Sequence, residues 1–432
     1  MYTATDLLRV FYELFLCFLF LAIRRLFHCI DLFLFDRRTS CSTRNGSDRL
    51  AVVSKILGRY KRDVYDFARP EHFLSKLERI ASSEEILTND RIALYCVDRH
   101  YATFIELPEP LSEYSAVKTA FIWLHFFRDA TRIVRIPASE LHRLSNQVGD
   151  PRVPIVVLWN SGRCGSTLFC KLIAIANPRV IALSEPDVFT SLHSLIVDKD
   201  HCHTDIELIR SSLRLFFKPV PNVDGFVVKP RMFCTSLLPY IRDTMPSIQH
   251  ALNDRRDRTA TIRSYEKSFR PIQDLKLYYM YVNYPWVPHL IGTPVHTYPA
   301  RIEQAAAEAG LKNSLYEIMC KLWANNQLDF SKYRVHFDRN IWYYEDFMKD
   351  PESVLDAMFK LLKLEMPNLR MVRDQVREDA QAESPFSMKA MKRNENKLTR
   401  LEDDLELKRR VERFFELIAL GNDENLGHQP TV

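Results

Sequence analysis

The hydrophobic pattern places one buried strand and one buried helix near the middle of the chain. Residues 153–159 are almost all apolar and rich in valine and isoleucine, which is typical of a strand covered on both faces in a parallel sheet. From Leu168 to Ala176 the apolar residues continue without a turn signal, which indicates a helix packed back on that strand. Short apolar strands alternate with helices from Pro151 onward. The pattern therefore predicts an α/β domain over residues 151–432 with a central parallel sheet.

The first residues of the chain follow a different pattern. Their uninterrupted apolar core, Leu14–Ile23, is shorter than the roughly 20 residues that a membrane-spanning helix needs. On a helical projection the polar residues share an arc of about 100°, and they are Asp6, Arg9, Glu13, Arg24, His28 and Asp31. We predict that residues 1–36 form an amphipathic, membrane-associated helix that lies in the interface or inserts as a short anchor.

The residues after this helix give opposing signals about its orientation. Arg24, Arg25, Arg37 and Arg38 follow the apolar core, and by the positive-inside rule they favour a cytosolic domain. Residues 37–50 have the composition of a linker, and they contain the sequon Asn45-Gly46-Ser47. A sequon that is used requires a lumenal or extracellular location.

Residues 51–150 are predicted to form an accessory α+β region that is mainly helical. Helical patterning covers Val52–Leu87 and Tyr114–Val134. The β-prone runs Ile92–Val97 and Tyr101–Leu107 flank a short polar turn, which predicts a hairpin. We assign no chemistry to this region.

Composition excludes some classes of protein. With 47% hydrophobic and 27% charged residues, the 432-residue chain is globular. A net charge of +5 argues against a protein that coats nucleic acid. The nine cysteines match neither a zinc pattern nor a dense disulfide framework. His201, Cys202 and His203 are consecutive and accompany no second ligand pair, so we interpret them as a polar loop and predict no metal site.

A loop suited to an anion lies between the central strand and helix, and it reads Gly162-Arg163-Cys164-Gly165-Ser166-Thr167-Leu168. Its glycines permit a sharp turn and a close approach to a ligand. Hydroxyls, a cation and the unpaired N–H groups of a first helical turn together make an anion cradle. The spacing differs from the G-x-x-x-x-G-K-[ST] of nucleotide-binding loops, and no G-x-S-x-G is present. We therefore expect a ligand that carries phosphate or sulfate.

This loop resembles the 5′-phosphosulfate loop of sulfotransferases, and among them it is most similar to the membrane-linked carbohydrate sulfotransferases. Three further elements follow in the order of that family: Ser184-Glu185-Pro186, the pair Arg256 and Ser264, and the closing run Ile341–Phe347 with Asp350-Pro351. The resemblance covers about residues 153–430 and does not extend to residues 1–150. It implies a P-loop-like, three-layer fold.

The resemblance also implies roles for individual residues. The chain would transfer a sulfuryl group from 3′-phosphoadenosine 5′-phosphosulfate to an acceptor hydroxyl, expected on a carbohydrate. The residues implied to hold the 5′-phosphosulfate are Arg163, Cys164, Gly165, Ser166, Thr167 and Leu168. Arg256 and Ser264 would hold the 3′-phosphate, with Arg255 as the alternative to Arg256. No metal is implied, because arginine, lysine and helix N–H groups can supply the electrostatic work.

Glu185 is the candidate general base. Cytosolic sulfotransferases carry Lys-x-His after a strand, whereas this chain has Lys229-Pro230-Arg231, and a guanidinium cannot accept a proton. Lys229, like Arg163, would stabilise charge during transfer. If Glu185 is not the base, His193 or His289 are the next candidates.

Two other classes stay open from the sequence: a P-loop-like nucleotide kinase, which requires Mg²⁺ and a transferable γ-phosphate, and a non-catalytic relative that binds the donor only. The resemblance favours a Golgi membrane protein with a lumenal catalytic domain. The basic residues after the first helix favour the alternative, a cytoplasmic, membrane-associated protein.

Overall fold

A computed structural model gives the fold of the chain. It describes residues 8, 11–12, 15–16, 18–27, 50–61, 67–197, 205–269, 298–337, 340–365, 372, 374–376, 378–382, 384, 387–392, 399, 401 and 403–423. The chain divides into two compact units. The first comprises residues 1–159, 167–251 and 350–380, and the second comprises residues 160–166, 252–349 and 381–432.

An antiparallel sheet of five strands is built from the residues that precede the α/β part. Its order is β2-β1-β5-β4-β3, and the strands are β1 Leu50–Arg59, β2 Phe73–Ser82, β3 Ile92–Val97, β4 Tyr101–Glu106 and β5 Arg132–Pro137. Strands β3 and β4 pair from Ile92–Glu106 to Val97–Ala102, which confirms the predicted hairpin. The α-helices described in this part of the chain are α1 Glu85–Thr88, α2 Ile122–Asp129 and α3 Ala138–Val148.

The prediction that this accessory region is mainly helical is wrong. Most of the described residues of Val52–Leu87 lie in β1 and β2, and only part of Tyr114–Val134 is helical before β5 begins. Along β1, buried and more exposed positions alternate, which is the period of a pleated strand. Antiparallel pairing with β2 and β5 supplies backbone partners on both sides of β1. Long-range pairing therefore decides the structure of these residues, and a local helical pattern does not predict it.

The second sheet is parallel, as predicted, and it has five strands. Its order is β10-β9-β6-β8-β7, and the strands are β6 Ile155–Asn160, β7 Val180–Ser184, β8 Gly225–Lys229, β9 Gln249–Asp254 and β10 Ile341–Tyr343. Every residue of β6, β7 and β8 is buried. That burial explains their continuous apolar character, because both faces of a parallel sheet are covered.

Helices follow most of the parallel strands. They are α4 Ser166–Ala176, α5 Asp187–Val197, α6 Asp205–Phe216, α7 Leu238–Thr244, α8 Arg258–Phe269, α9 Ala300–Glu308, α10 Leu315–Tyr333, α11 Tyr344–Lys349, α12 Pro351–Leu362, α13 Met388–Lys392 and α14 Leu405–Asp423. The Asp350-Pro351 pair starts α12, because the Asp350 carboxylate accepts the Ser353 N–H at 3.1 Å and proline takes a first-turn position.

Strand β9 is more polar than its neighbours, and two of its groups accept hydrogen bonds from the end of β6 and the residue after it. The Trp159 indole N–H donates to His250 Nδ1 at 3.1 Å. The backbone N–H of Ser161 donates to the carbonyl of Asn253 at 3.2 Å. Buried polar groups of this kind are stable only when they are hydrogen-bonded.

Residues 18–27 are helical. Several large apolar side chains on this stretch are exposed: Phe18, Leu19, Leu21, Ile23 and Leu26. Within the described ranges, no helix is both long enough and apolar enough to cross a bilayer. Apart from Leu50, the predicted linker 37–50 lies outside the described residues.

Candidate functional site

The glycine loop links β6 to α4 through backbone conformations that most residues avoid. Gly162 and Gly165 have φ values of 73° and 76°. Arg163 lies between them with φ 52°, in the left-handed region, although it carries a side chain. Non-glycine residues in this region cost free energy and concentrate at functional sites. The Asn160 side chain braces the turn by accepting the Gly162 N–H at 3.2 Å.

The side chain of Arg163 is held by two residues from later in the chain. Its Nε donates to Ser264 Oγ at 3.0 Å, and its Nη1 donates to Gln381 Oε1 at 3.2 Å. The structure thus brings together two of the predicted donor-binding residues, Arg163 and Ser264. It adds Gln381, which no motif in the sequence had indicated.

Tyr344 packs against the second glycine of the loop. A Cβ atom placed on Gly165 would lie 2.7 Å and 2.9 Å from two atoms of the Tyr344 ring. The Arg255 guanidinium carbon is 4.8 Å from the centre of the same ring, within cation–π range. The Nε of Arg255 is buried and has no hydrogen-bond partner among the described residues. It lies 3.9 Å from the Glu345 carboxylate.

Arg256 has a different environment from its neighbour. Its two terminal nitrogens each donate to the Asp346 carboxylate at 2.7 Å, and about half of its side chain is exposed. Glu345 accepts the backbone N–H groups of Arg256 and Asp257 at 3.2 Å and 3.3 Å, just before α8 begins. Glu345 and Asp346 therefore hold this turn.

Tyr265 supports the start of the loop from α8. Its buried hydroxyl donates to the carbonyl of Ser161, and the Asn326 amide donates to that hydroxyl at 3.3 Å. Burial raises the pKa of Tyr265, so the hydroxyl stays protonated as a donor. Neither residue belongs to a motif, and both contacts depend on the packing of α8 and α10.

Glu185 follows β7 and lies beside the end of β8. It is also in the left-handed region, with φ 60°, and its N–H donates to the carbonyl of Lys229 at 2.6 Å. The Lys229 ammonium donates to Glu185 Oε1 at 2.7 Å and to Thr167 Oγ1 at 3.3 Å. One buried cation therefore joins the predicted base to the last hydroxyl of the predicted loop.

The other oxygen of the Glu185 carboxylate faces the accessory region. The Trp123 indole N–H donates to Glu185 Oε2 at 3.3 Å, and Arg231 Nε lies 3.9 Å from the same oxygen. Arg231 also donates to Asp187 at 3.4 Å. Lys61 lies 3.8 Å from the second Asp187 oxygen. Trp123 and Lys61 come from the region to which we had assigned no chemistry.

The described members of this group of charges are largely buried. The side chains of Lys61, Lys229 and Arg231 are 2%, 2% and 5% exposed, and that of Asp187 is fully buried. Burial raises the pKa of Asp187, while Lys61 and Arg231 act in the opposite direction. Among the described residues, Lys61, Lys229 and Arg231 thus surround the carboxylates of Glu185 and Asp187.

The other residues that the sequence singled out are either buried or half-buried, or lie outside the described residues. Cys164, Ser166 and Thr167 are buried and Leu168 is half-buried. His193 Nδ1 lies 2.8 Å from Ser236 Oγ, and its ring packs on Phe233. His201, Cys202, His203 and His289 lie outside the described residues. In the described part of the chain, no group of acidic, histidine or cysteine side chains could hold a metal ion.

The chain has little detectable similarity to known proteins. No family model matches the chain, and no curated protein matches it. Among solved structures, it is similar to a sulfotransferase from Alicyclobacillus acidocaldarius, with 11% identity, a TM-score of 0.28, and coverage of 52% of this chain and 89% of that chain. A likeness this low says nothing about the activity of the chain.

Proposed function

We propose that the chain is a sulfotransferase that moves a sulfuryl group from 3′-phosphoadenosine 5′-phosphosulfate to an acceptor hydroxyl, with a carbohydrate as the expected acceptor. The observation that carries the proposal is the position of Lys229. Its ammonium contacts both Thr167, the last hydroxyl residue of the predicted anion-binding loop, and Glu185, the carboxylate that the sequence suggests as base. A cation that lies between a bound anion and a base can stabilise the negative charge that develops as a group is transferred.

The residues around the glycine loop fit a donor with two phosphate groups. The loop N–H groups, Arg163 and Ser166 would hold the 5′-phosphosulfate. Ser264 and Arg255 would hold the 3′-phosphate. We favour Arg255 over Arg256 because its buried Nε has no hydrogen-bond partner among the described residues, whereas Arg256 is committed to Asp346. The donor supplies the sulfuryl group.

The carboxylate and its cations would carry out the proton and charge transfer. As the acceptor oxygen forms its bond to sulfur, the bond from sulfur to the phosphate oxygen breaks, and adenosine 3′,5′-bisphosphate leaves. Glu185 would take the proton of the acceptor hydroxyl. Lys229 would stabilise the negative charge that develops on the leaving phosphate.

A transfer assay with the full-length protein tests this function. The protein is incubated with ³⁵S-labelled donor and a panel of glycans, steroids and peptides. We expect a labelled product and release of the bisphosphate. Transfer of ³²P from γ-labelled ATP in the presence of Mg²⁺ would support the kinase instead. Tight binding of the bisphosphate without any transfer would support the non-catalytic relative.

We also propose that the protein is attached to the Golgi membrane through residues 1–36, with the catalytic domain in the lumen. The exposed apolar side chains of residues 18–27 support attachment to lipid. Expression in a eukaryotic cell tests the orientation. Glycosidase should increase the mobility of the wild type and not of Asn45→Gln. Protease digestion of the domain in intact vesicles, with no mobility shift, would reverse the orientation.

A further inference from the structure

Two hydrogen bonds attach the accessory region to β7 and α5, the strand and the helix that precede and follow Glu185 in the sequence. The backbone N–H of Ala116 donates to the carbonyl of Ala182 on β7 at 2.8 Å. The backbone N–H of Val97 donates to Ser191 Oγ on α5 at 3.2 Å. Glu185 lies between these two attachment points. The segment 97–123 is therefore attached to the strand and the helix between which the candidate base lies.

Trp123, at the end of this segment, has little freedom to move. Its side chain is 1% exposed. The Arg231 guanidinium lies 4.9 Å from its ring centre and the Lys61 ammonium 5.9 Å from it. Both cations also approach Asp187, which is fully buried. Cation–π contacts and a buried ion cluster thus fix the plane of the indole.

The two oxygens of the Glu185 carboxylate have different partners. Oε1 accepts a charge-assisted bond from Lys229 at 2.7 Å, whereas Oε2 accepts a neutral and longer bond from Trp123 at 3.3 Å. Arg231 Nε also lies near Oε2, but at 3.9 Å it is beyond hydrogen-bond distance. Charge-assisted hydrogen bonds are about twice as strong as neutral ones. Each carboxylate oxygen can accept two hydrogen bonds. Oε2 is thus the oxygen that is better able to accept a further proton.

We propose that Trp123 is a positioning residue: its indole N–H fixes the rotation of the Glu185 carboxylate so that Oε2 receives the proton of the acceptor. The accessory region then completes the active site. This inference rests on the proposed sulfotransferase function for its catalytic consequence. The hydrogen bond itself can be tested without any activity.

The first experiment measures that hydrogen bond in the full-length protein. The indole N–H signal of Trp123 is assigned in a ¹⁵N spectrum as the signal lost in Trp123→Phe. Glu185→Gln replaces the carboxylate with a weaker, neutral acceptor, so we expect this signal to move upfield. The indole signal of Trp159, whose partner is His250, should stay in place and serves as the control. An unchanged Trp123 signal would overturn the proposal.

The second experiment is a double-mutant cycle on sulfuryl transfer. Trp123→Phe keeps an aromatic ring and removes the N–H, and we expect turnover to fall about 10- to 100-fold, the range for a hydrogen bond to a charged group. Affinity for adenosine 3′,5′-bisphosphate should not change. In a Glu185→Gln background the same substitution should have no further effect, because the oriented base is already lost.

The matched control is Tyr95→Phe. Tyr95 is a buried aromatic residue of the same region, and its ring lies at the same 5.9 Å from Lys61. Equal losses in Tyr95→Phe and Trp123→Phe, or an additive loss in the double variant, would show a purely structural role and overturn the proposal. Absence of transfer by the wild type would overturn the proposed function and the catalytic role with it, while the indole signal would still decide whether the hydrogen bond forms.

Discussion

Arg163 Nε donates a hydrogen bond of 3.0 Å to Ser264 Oγ across 101 positions of the chain. The contact joins the turn after β6 to α8, and it places a cation and a hydroxyl where two sides of one ligand could be held. If they bind the donor, each should contribute to its affinity. Their contributions should also be coupled, because the two side chains are in contact.

We therefore expect Arg163→Ala to weaken binding of adenosine 3′,5′-bisphosphate by about 1–3 kcal/mol, and Ser264→Ala by about 0.5–1.5 kcal/mol. The double variant should lose less than the sum of the two. Titration calorimetry on the full-length protein measures all three losses. Arg413→Ala, an exposed arginine on α14, is the control that should not change affinity. Wild-type affinity in both single variants would contradict the assignment.

Arg255 and Arg256 provide a second, paired test. Arg255 packs on the Tyr344 ring that contacts Gly165, whereas Arg256 is exposed and bound to Asp346. We expect Arg255→Ala to reduce bisphosphate affinity about 10- to 100-fold, the range for a lost hydrogen bond to a charged group. Arg256→Ala should change it less than about twofold, because exposed ion pairs contribute little. The reverse order of the two effects would assign the 3′-phosphate to Arg256.

Glu185→Gln tests the base. Glutamine preserves the shape of the side chain and cannot accept the proton, so we expect nearly normal bisphosphate binding and turnover lower by about 10²–10⁴-fold. Single-turnover transfer and calorimetry separate the two quantities. Glu207→Gln, at a carboxylate that is 70% exposed on α6, should behave as the wild type. Full activity of Glu185→Gln would direct attention to His193 or His289.

The sequence predicted the elements whose signals are local. Strand β6 is a continuous apolar run and the turn after it needs glycine, so the parallel sheet and the loop could be read directly. The helical interpretation of residues 52–87 failed because β1 depends on pairing with β2 and β5. The hydrophobic pattern within one segment carries no information about the distant strand with which that segment will pair.

The candidate site was predictable only in part, for a similar reason. Glu185 follows a buried strand and precedes proline, and both features are visible in the sequence. Trp123 contacts it across 62 positions, and a buried tryptophan on a helix looks like any core residue. The choice between Arg255 and Arg256 also depends on tertiary packing, because neighbouring residues at the end of a strand enter different surroundings.

Gly165→Ala should destabilise the protein for two separate reasons. At φ 76° an L-residue costs about 1–2 kcal/mol. Its Cβ would also meet the Tyr344 ring at 2.7 Å, and overpacking of this kind costs about 1–3 kcal/mol. Gly310→Ala is the matched control, since φ there is 71° and the nearest atom is an ordinary 3.7 Å away. Urea denaturation should show a larger loss for Gly165→Ala, and equal losses would contradict the packing of Tyr344 on the loop.

The last prediction concerns pH and the buried residue His72. Burial and the nearby cations Lys61, Arg69 and Arg24 lower its pKa well below the ordinary value of 6.5. The folded protein therefore keeps His72 neutral at a pH where the unfolded chain already binds a proton. Since the unfolded state then holds more protons, the free energy of unfolding must fall as the pH drops below 6.5 towards the folded-state pKa, by up to about 1.4 kcal/mol per pH unit from this group.

His72→Asn removes the titrating ring and retains an acceptor for the Arg69 N–H, which contacts His72 Nδ1 at 3.4 Å. We expect the variant to lose less stability than the wild type between pH 7 and pH 5 in urea denaturation curves. His100→Asn, at an exposed position in the turn between β3 and β4, is the matched control for the replacement of a histidine by asparagine. If His72→Asn and the wild type lose equal stability over this range, the pKa of His72 is the same in the folded and unfolded states. The cations around it would then have no effect on its charge, contrary to the structure.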